Sequence, residues 1–151
     1  MKRILIPVFL LLLLAGCSNN TITVGLKVEL MNIVRGSDGT TQVSWRIVNP
    51  NISSYLLDET THRIYLNGTL VGTTNEKEAV AIPAQTNAYR TTKLHPAGAA
   101  GERALADALA AGTATYRTDS TIIIRLYGDS TDKSSLTSAG KVTVTQNKAA
   151  P

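Results

Sequence analysis

Few side chains in this sequence are chemically reactive. Cys17 is the only cysteine among 151 residues, and His62 and His95 are the only histidines. Neither histidine stands at a metal-ligand spacing from another histidine, a cysteine or a carboxylate, so no metal and no other cofactor is expected. His62 shares its apolar phase with Ile64 and Leu66 and reads as a structural, strand-end histidine, while His95, before Pro96, reads as a loop residue. Gly128-Asp129-Ser130 holds residue types a serine hydrolase uses, but a nucleophilic serine needs a sharp turn beside a histidine base and an orienting carboxylate. Here the triplet ends an apolar run and opens a Ser/Thr/Asp-rich loop from Ser130 to Ser138, so it reads as an ordinary turn. Glu59, Glu76, Glu78, Glu102 and Asp107 fall in loops, at strand margins or on a helix, and no two form an evident acid/base pair. The expectation is a protein without catalytic residues, a hydrolase centred on Ser130 being the enzymatic alternative.

Cys17 has a different chemical context. Lys2 and Arg3 precede an apolar run from Ile4 to Leu14, and Ala15-Gly16 supply the small residues that signal peptidases accept. That run falls well short of the ~20 residues that cross a bilayer as a helix. The order Leu14-Ala15-Gly16-Cys17 resembles the lipobox of bacterial lipoproteins. The resemblance implies removal of residues 1–16, a diacylglycerol thioether on Cys17 and usually an acyl chain such as palmitate on its new amino terminus. Each buried methylene is worth about 0.8 kcal/mol, so two or three chains would anchor the protein to the membrane in a lasting way. A capped Cys17 leaves no disulfide, and the core alone must stabilise the domain. Ser18–Thr21 completes a short tether over 17–21, reaching about 14 Å when extended. Ser18 is not the aspartate linked to inner-membrane retention, so the same resemblance points to the periplasmic face of the outer membrane in a Gram-negative host. Asn-x-Ser/Thr matches at Asn19, Asn51 and Asn67 are assigned no function in such a compartment.

Without its leader the chain keeps 135 residues, with 13 basic against 11 acidic, the size of one ordinary domain. Lysine and arginine are scattered singly, which argues against nucleic acid and against a dedicated anionic-lipid patch.

Alternation from Ile22 through Val24, Leu26, Val28 and Leu30, then Met31 and Ile33, predicts a strand with a bulge at Leu30-Met31. Arg35 to Gly39 is a turn, and Val43, Trp45 and Ile47 form the inward face of a second strand that Asn49-Pro50-Asn51 ends. Arg63 to Val71 predicts a hairpin about Asn67-Gly68, a pair suited to the positive φ angles of a type I′ turn. Ala79–Ile82, stopped by Pro83, and Gln85–Leu94 read as edge elements, and Glu102–Ala111 as the one helix, a crossover cap ended by Gly112. The glycines of 96–101 lack the Lys-Ser/Thr of a phosphate-binding loop. Ala114–Tyr127, with Ile122, Ile124 and Leu126 on one face, and Val142–Val144 complete an antiparallel β-sandwich of about seven strands over 22–146, before a polar tail at 147–151.

Three segments carry a family resemblance: Val43-Ser44-Trp45-Arg46-Ile47-Val48-Asn49-Pro50-Asn51, then Ile64-Tyr65-Leu66-Asn67-Gly68-Thr69-Leu70-Val71-Gly72, then Val80-Ala81-Ile82-Pro83-Ala84. Together these resemble the LEA14-like domain, also called late embryogenesis abundant type 2 or the water-stress and hypersensitive-response (WHy) domain. The resemblance implies a fibronectin type III-like or immunoglobulin-like sandwich, without catalytic residues, linked to desiccation and stress tolerance. Asn49, Pro50, Asn51, Asn67, Gly68 and Pro83 are explained by turn and strand-end geometry, so the motif speaks for fold more than for function. A protective or scaffolding domain is expected; an accessory subunit that pairs a partner strand along an exposed edge is the alternative.

Overall fold

The computed structural model describes residues 25–126 and 130–147; Cys17 with its leader and tether, Ile22–Val24, Tyr127–Asp129 and Lys148–Pro151 lie outside the described residues. Nine strands and one helix follow in order: β1 (Lys27–Arg35), β2 (Thr41–Val48), β3 (Tyr55–Leu66), β4 (Thr69–Glu76), β5 (Val80–Ile82), β6 (Asn87–Lys93), β7 (His95–Pro96), α1 (Gly98–Ala111), β8 (Thr113–Arg125) and β9 (Thr131–Gln146). They form one path, β6-β2-β1-β9-β8-β3-β4-β7, with β5 added to β3. The described residues thus form an all-β fold with a single helix.

The path closes on itself. Trp45 on β2 stacks on His62 of β3 with ring centroids 4.1 Å apart, although β1, β9 and β8 lie between those strands along the sheet. Only a sheet curled until its two halves face each other brings these rings together, and the core lies between them as in a sandwich. Val43, Trp45 and Ile47 from one half and Ile64, Leu66, Ile122 and Ile124 from the other are all buried there.

Two features depart from an antiparallel sandwich of about seven strands. Two further strands are present, β7 being only His95–Pro96 on the edge of β4. The first and last long strands, β1 and β9, run parallel through Asn32–Arg35 and Thr143–Gln146. Parallel neighbours cannot be joined by a tight hairpin, and here the whole domain is the connection between them.

The first strand bulges where its apolar phase flips: Leu30 faces Trp45 and Asn32 faces Ser44, leaving Met31 as the extra residue. Met31 is therefore partly exposed rather than on the apolar face, which resumes at the fully buried Ile33. A second bulge, at Asp58 between Leu57 and Glu59, hides most of β3 from a reading by alternation; the strand begins at Tyr55, not Arg63, and His62 stands inside it rather than at its end.

β9 replaces the loop expected over Ser130–Ser138. Several of its inward positions are small or hydroxylated: Ser134 is buried, Thr118 Oγ1 and Ser138 Oγ are 2.7 Å apart, and the Tyr116 ring lies over Gly140, with Leu136, between the two serines, packed on the core. Cross-strand hydroxyl pairs and a long partner, β8, hold a sequence with little apolar signal in a strand. Leu126, expected inward, lies past the end of β8 and is 39 % exposed.

The helix begins at Gly98, four residues before the expected start, so Glu102 stands outside its first turn. The glycine-rich stretch serves packing. A Cβ on Gly101 would sit 2.9 Å from the carbonyl oxygens of both Leu70 and Val71, so the bare glycine lets the helix lie against the backbone of β4. Leu105 and Ala108 complete its buried face, and Gly112 ends it with φ 74° and its N–H donated to the Leu109 carbonyl.

Gly101→Ala opposes two effects. Alanine gains about 1 kcal/mol of helix propensity, but overpacking against fixed backbone typically costs about 1–3 kcal/mol. We expect a net loss of stability, read as a lower midpoint in urea unfolding; a raised midpoint would mean that the helix does not depend on this close approach.

Candidate functional site

Asn49 follows β2 directly, and its side chain is almost wholly buried. Its Nδ2 donates to the carbonyls of Ser53 at 2.8 Å and Pro83 at 3.0 Å, and its Oδ1 accepts from the Asn51 backbone N–H at 3.0 Å. The backbone N–H of Asn49 donates to Thr86 at 2.9 Å, and that of Gln85 to Asn51 at 2.9 Å. One amide thus ties the β2–β3 loop to the β5–β6 loop. Pro50 and Pro83 are exposed beside it, and the Pro83 carbonyl also accepts from Thr86 Oγ1.

Asn67 and Gly68 turn β3 into β4 with φ angles of 47° and 86°. Asn67 does more than turn the chain. Its Oδ1 accepts from the Thr115 backbone N–H at 3.1 Å and from Thr115 Oγ1 at 2.9 Å, and its own N–H donates to the Thr115 carbonyl. The hairpin is thereby fastened to β8 as well as to itself.

The buried polar cluster of the core is Trp45, His62, Ser120 and Thr92. Trp45 Nε1 donates to Thr92 Oγ1 at 3.0 Å, and His62 Nδ1 lies 2.8 Å from Ser120 Oγ. His62 and Ser120 form a histidine–serine pair, but His62 is 1 % exposed and Ser120 3 %. Burial pushes the imidazole down to about 4 from its ordinary 6.5, keeping it neutral at physiological pH. The imidazole is committed to stacking and one hydrogen bond. Ser120 was within reach of sequence reasoning, since it shares the inward phase of Ile122 and Ile124; its pairing with His62 required the strand register.

The other reactive candidates are dispersed. His95 is exposed on β7 rather than in a loop. Ser130 accepts a hydrogen bond on its carbonyl from the Leu126 N–H at 2.7 Å, closing the connection between β8 and β9, while Gly128 and Asp129 lie outside the described residues. Glu59 accepts from Asn75, Glu76 from the Glu78 N–H, and Glu102 pairs with Arg35 at 2.8 Å. Asp107 is exposed on the helix. Among the described residues no three His, Cys, Asp or Glu side chains are grouped to hold a metal ion, and no helix is long and apolar enough to cross a membrane.

A cleft of about 530 Å³ opens where β1 and β9 diverge below their short parallel contact. Leu26–Glu29 form one wall and Leu136–Ala139 the other, with Tyr116 alongside. No sequence pattern marked it, because it arises from two strands at opposite ends of the chain.

No protein-family model matches the chain, and neither does the sequence of any curated protein. Solved structures do. The AT1g01470 protein from Arabidopsis thaliana is similar over 81 % of this chain and 80 % of its own, at 15 % identity and a TM-score of 0.53. A protein from Archaeoglobus fulgidus matches over 78 % of this chain and 94 % of its own at 15 % identity and a TM-score of 0.49. A candidate late embryogenesis abundant (LEA) protein, At2g46140.1, matches over 78 % and 70 % at 7 % identity and a TM-score of 0.44. At this identity the likeness to AT1g01470 establishes a shared fold and nothing further.

Replacing Asn49 by alanine removes its bonds to the β2–β3 and β5–β6 loops and leaves the part-buried Ser53 carbonyl and Asn51 N–H without this partner. At about 1–3 kcal/mol for each group left unsatisfied, Asn49→Ala is expected to lose several kcal/mol. Asn49→Asp should lose more at neutral pH, because a carboxylate oxygen would then face the Ser53 and Pro83 carbonyls. Denaturant unfolding of both variants checks the order, and equal losses would deny Nδ2 its role as donor.

His62 gives stability a defined pH dependence. Between pH 6.5 and about 4 the unfolded chain binds a proton that the folded chain refuses. Stability is therefore full above pH 6.5 and falls as pH drops towards 4; at 1.36 kcal/mol per pH unit the loss approaches about 3 kcal/mol. His62→Phe keeps a ring on Trp45 and should flatten this slope between pH 7 and 4.5, whatever it costs at neutral pH. An unchanged slope would place the titrating group elsewhere.

Proposed function

We propose that this protein is a membrane-anchored, non-enzymatic envelope lipoprotein, held through lipid on Cys17, whose LEA14-like domain protects or scaffolds other envelope components under drying stress. In a Gram-negative host it sits at the periplasmic face of the outer membrane. The observation that carries this reading is the fate of the signature residues. Asn49 and Asn67 are consumed in fastening loops and strands, and the imidazole of His62 is buried in the core. What the motif residues specify is fold, and the fold agrees with the family resemblance of the three sequence segments. The lipobox-like Leu14-Ala15-Gly16-Cys17 supplies the address.

A second reading, an accessory subunit that pairs a partner strand, is favoured by the open edge of β6, where Tyr89 is 61 % exposed, and by the β1–β9 cleft. In-cell crosslinking that returned one stoichiometric partner would select it over general protection.

Cys17→Ser is expected to move the protein from the membrane fraction to the soluble fraction without changing its thermal midpoint. A strain lacking the gene should survive drying less well, with survival restored by the intact gene and not by Cys17→Ser. Membrane retention of Cys17→Ser would reject the anchor, and unaltered survival of the deletion strain would reject the protective role.

A further inference from the structure

We propose that the end of the domain carrying Ile52 rests on the phospholipid bilayer, with Ile52 seated in its interfacial layer. This orientation rests on the reading of Cys17 as the lipid anchor. The placement comes from register: Lys27 pairs with Val48, so the chain enters β1 at the end of the sandwich where β2 runs out into the loop of Asn49–Ser54. Gly25 lies against that loop, its notional Cβ 3.4 Å from Asn51 Oδ1. Seven residues separate Gly25 from Cys17, a reach of at most about 29 Å over eight steps when fully extended. The end bearing Asn51 is therefore the end held nearest the membrane.

Ile52, the next residue in that loop, is 87 % exposed, more than Met31, Tyr89 or Leu126 among the large hydrophobics left on the described surface. A single exposed isoleucine is ordinary; one at the tip of the loop beside the anchor point is placed to enter the layer between headgroups and acyl chains. Leu126 joins it at the same end, because Arg125 pairs with Leu56 near the start of β3 and Leu126 extends past it. The two neighbouring loop runs, 50–54 and 83–87, hold no charged residue, so their approach to the bilayer desolvates no ion. The opposite end of the domain carries the Asn67–Gly68 turn, the Arg35–Glu102 ion pair and the exit of the chain at Asn147, whose N–H donates to Arg35. The entry of the chain at Gly25, the exposed Ile52 and Leu126 and the two uncharged loops thus share one end, where Arg125, next to Leu126, is neutralised by Asp58, and the helix with its Arg35–Glu102 pair takes the other.

The test uses the full-length protein purified from membranes and reconstituted into phospholipid vesicles. The diacylglycerol thioether on Cys17, measured by mass spectrometry, caps its sulfur and leaves Ile52→Cys as the single free thiol for a polarity-sensitive fluorophore; Ser37→Cys, in the exposed turn between β1 and β2 at the far end, is the reference. The label at position 52 is expected to shift to the blue, to be quenched by bilayer-embedded nitroxide lipid and to lose most of its accessibility to aqueous iodide, while the label at position 37 stays accessible. Equal aqueous quenching at both positions, with Cys17 acylated, would overturn the orientation and leave the anchor intact. Shielding of position 52 in native membranes but not in protein-free vesicles would assign the tip to a protein and overturn the proposal. An unacylated Cys17 would remove the anchor and the orientation together.

Discussion

The fold depends on bringing two distant halves of one curled sheet into register, and the stack of Trp45 on His62 marks where they meet. Hydrogen bonds run along the sheet path, from β6 to β7, and none of the strand pairings joins β2 to β3. Closure therefore rests on side chains across the core, where aromatic pairs add about 0.5–1.5 kcal/mol beyond the area they bury, together with backbone links at the margins such as the Leu94 N–H to the Thr41 carbonyl and the β4–β7 pairing. A histidine at this place is neutral, flat and able to accept or donate to Ser120, so it packs like a small aromatic ring while its one polar bond fixes the ring plane. The consequence is a core whose strength falls as acid protonates the imidazole in the unfolded chain.

The ends of the sandwich are closed by amides. Asn49 donates in two directions and accepts in a third, so the loops at one end share a single buried side chain, while Asn67 performs the matching task for the hairpin and β8. Such bonds matter less for their net energy, about 1 kcal/mol each, than for the cost of leaving their buried partners empty. Turn propensity alone would have been met by other residues. The requirement for asparagine arises from donors and acceptors that only the assembled strands bring together.

This difference explains what was legible in the sequence. Local signals carried through: the Asn67–Gly68 turn is a property of two residues, the inward face of β2 is a property of alternate ones, and Gly112 ends the helix with positive φ. Where β3 bulges at Asp58, alternation breaks and most of the strand disappears from view. In β9, inward Ser134, opposite Ile122, and Ser138, bonded to the Thr118 hydroxyl, give a strand the composition of a loop. The packing role of the glycines before Glu102 was hidden because the backbone of β4, which they approach, is distant in sequence. Each failure has the same origin: the partner that gives the residue its role lies on another strand. The cleft between β1 and β9 was illegible for the same reason, since its walls come from the beginning and the end of the domain.

The distribution of polar chemistry bears on where function resides. Asparagines 49 and 67 and His62 face inward or clasp loops, and the ion pairs Glu29–Arg46, Asp58–Arg125 and Arg117–Asp119 are partly exposed links of small individual worth. Tyr65 carries the guanidinium of Arg117 at 4.1 Å from its ring centre, a contact that rigidifies the outer face of β3 and β8. A domain organised in this way offers partners its edges, loops and orientation. If Cys17 holds one end at a membrane, the β6 edge runs up from that surface and the helix stands away from it. Orientation then determines which side of the sandwich faces which neighbours, and the domain gains specificity from the place where it is held.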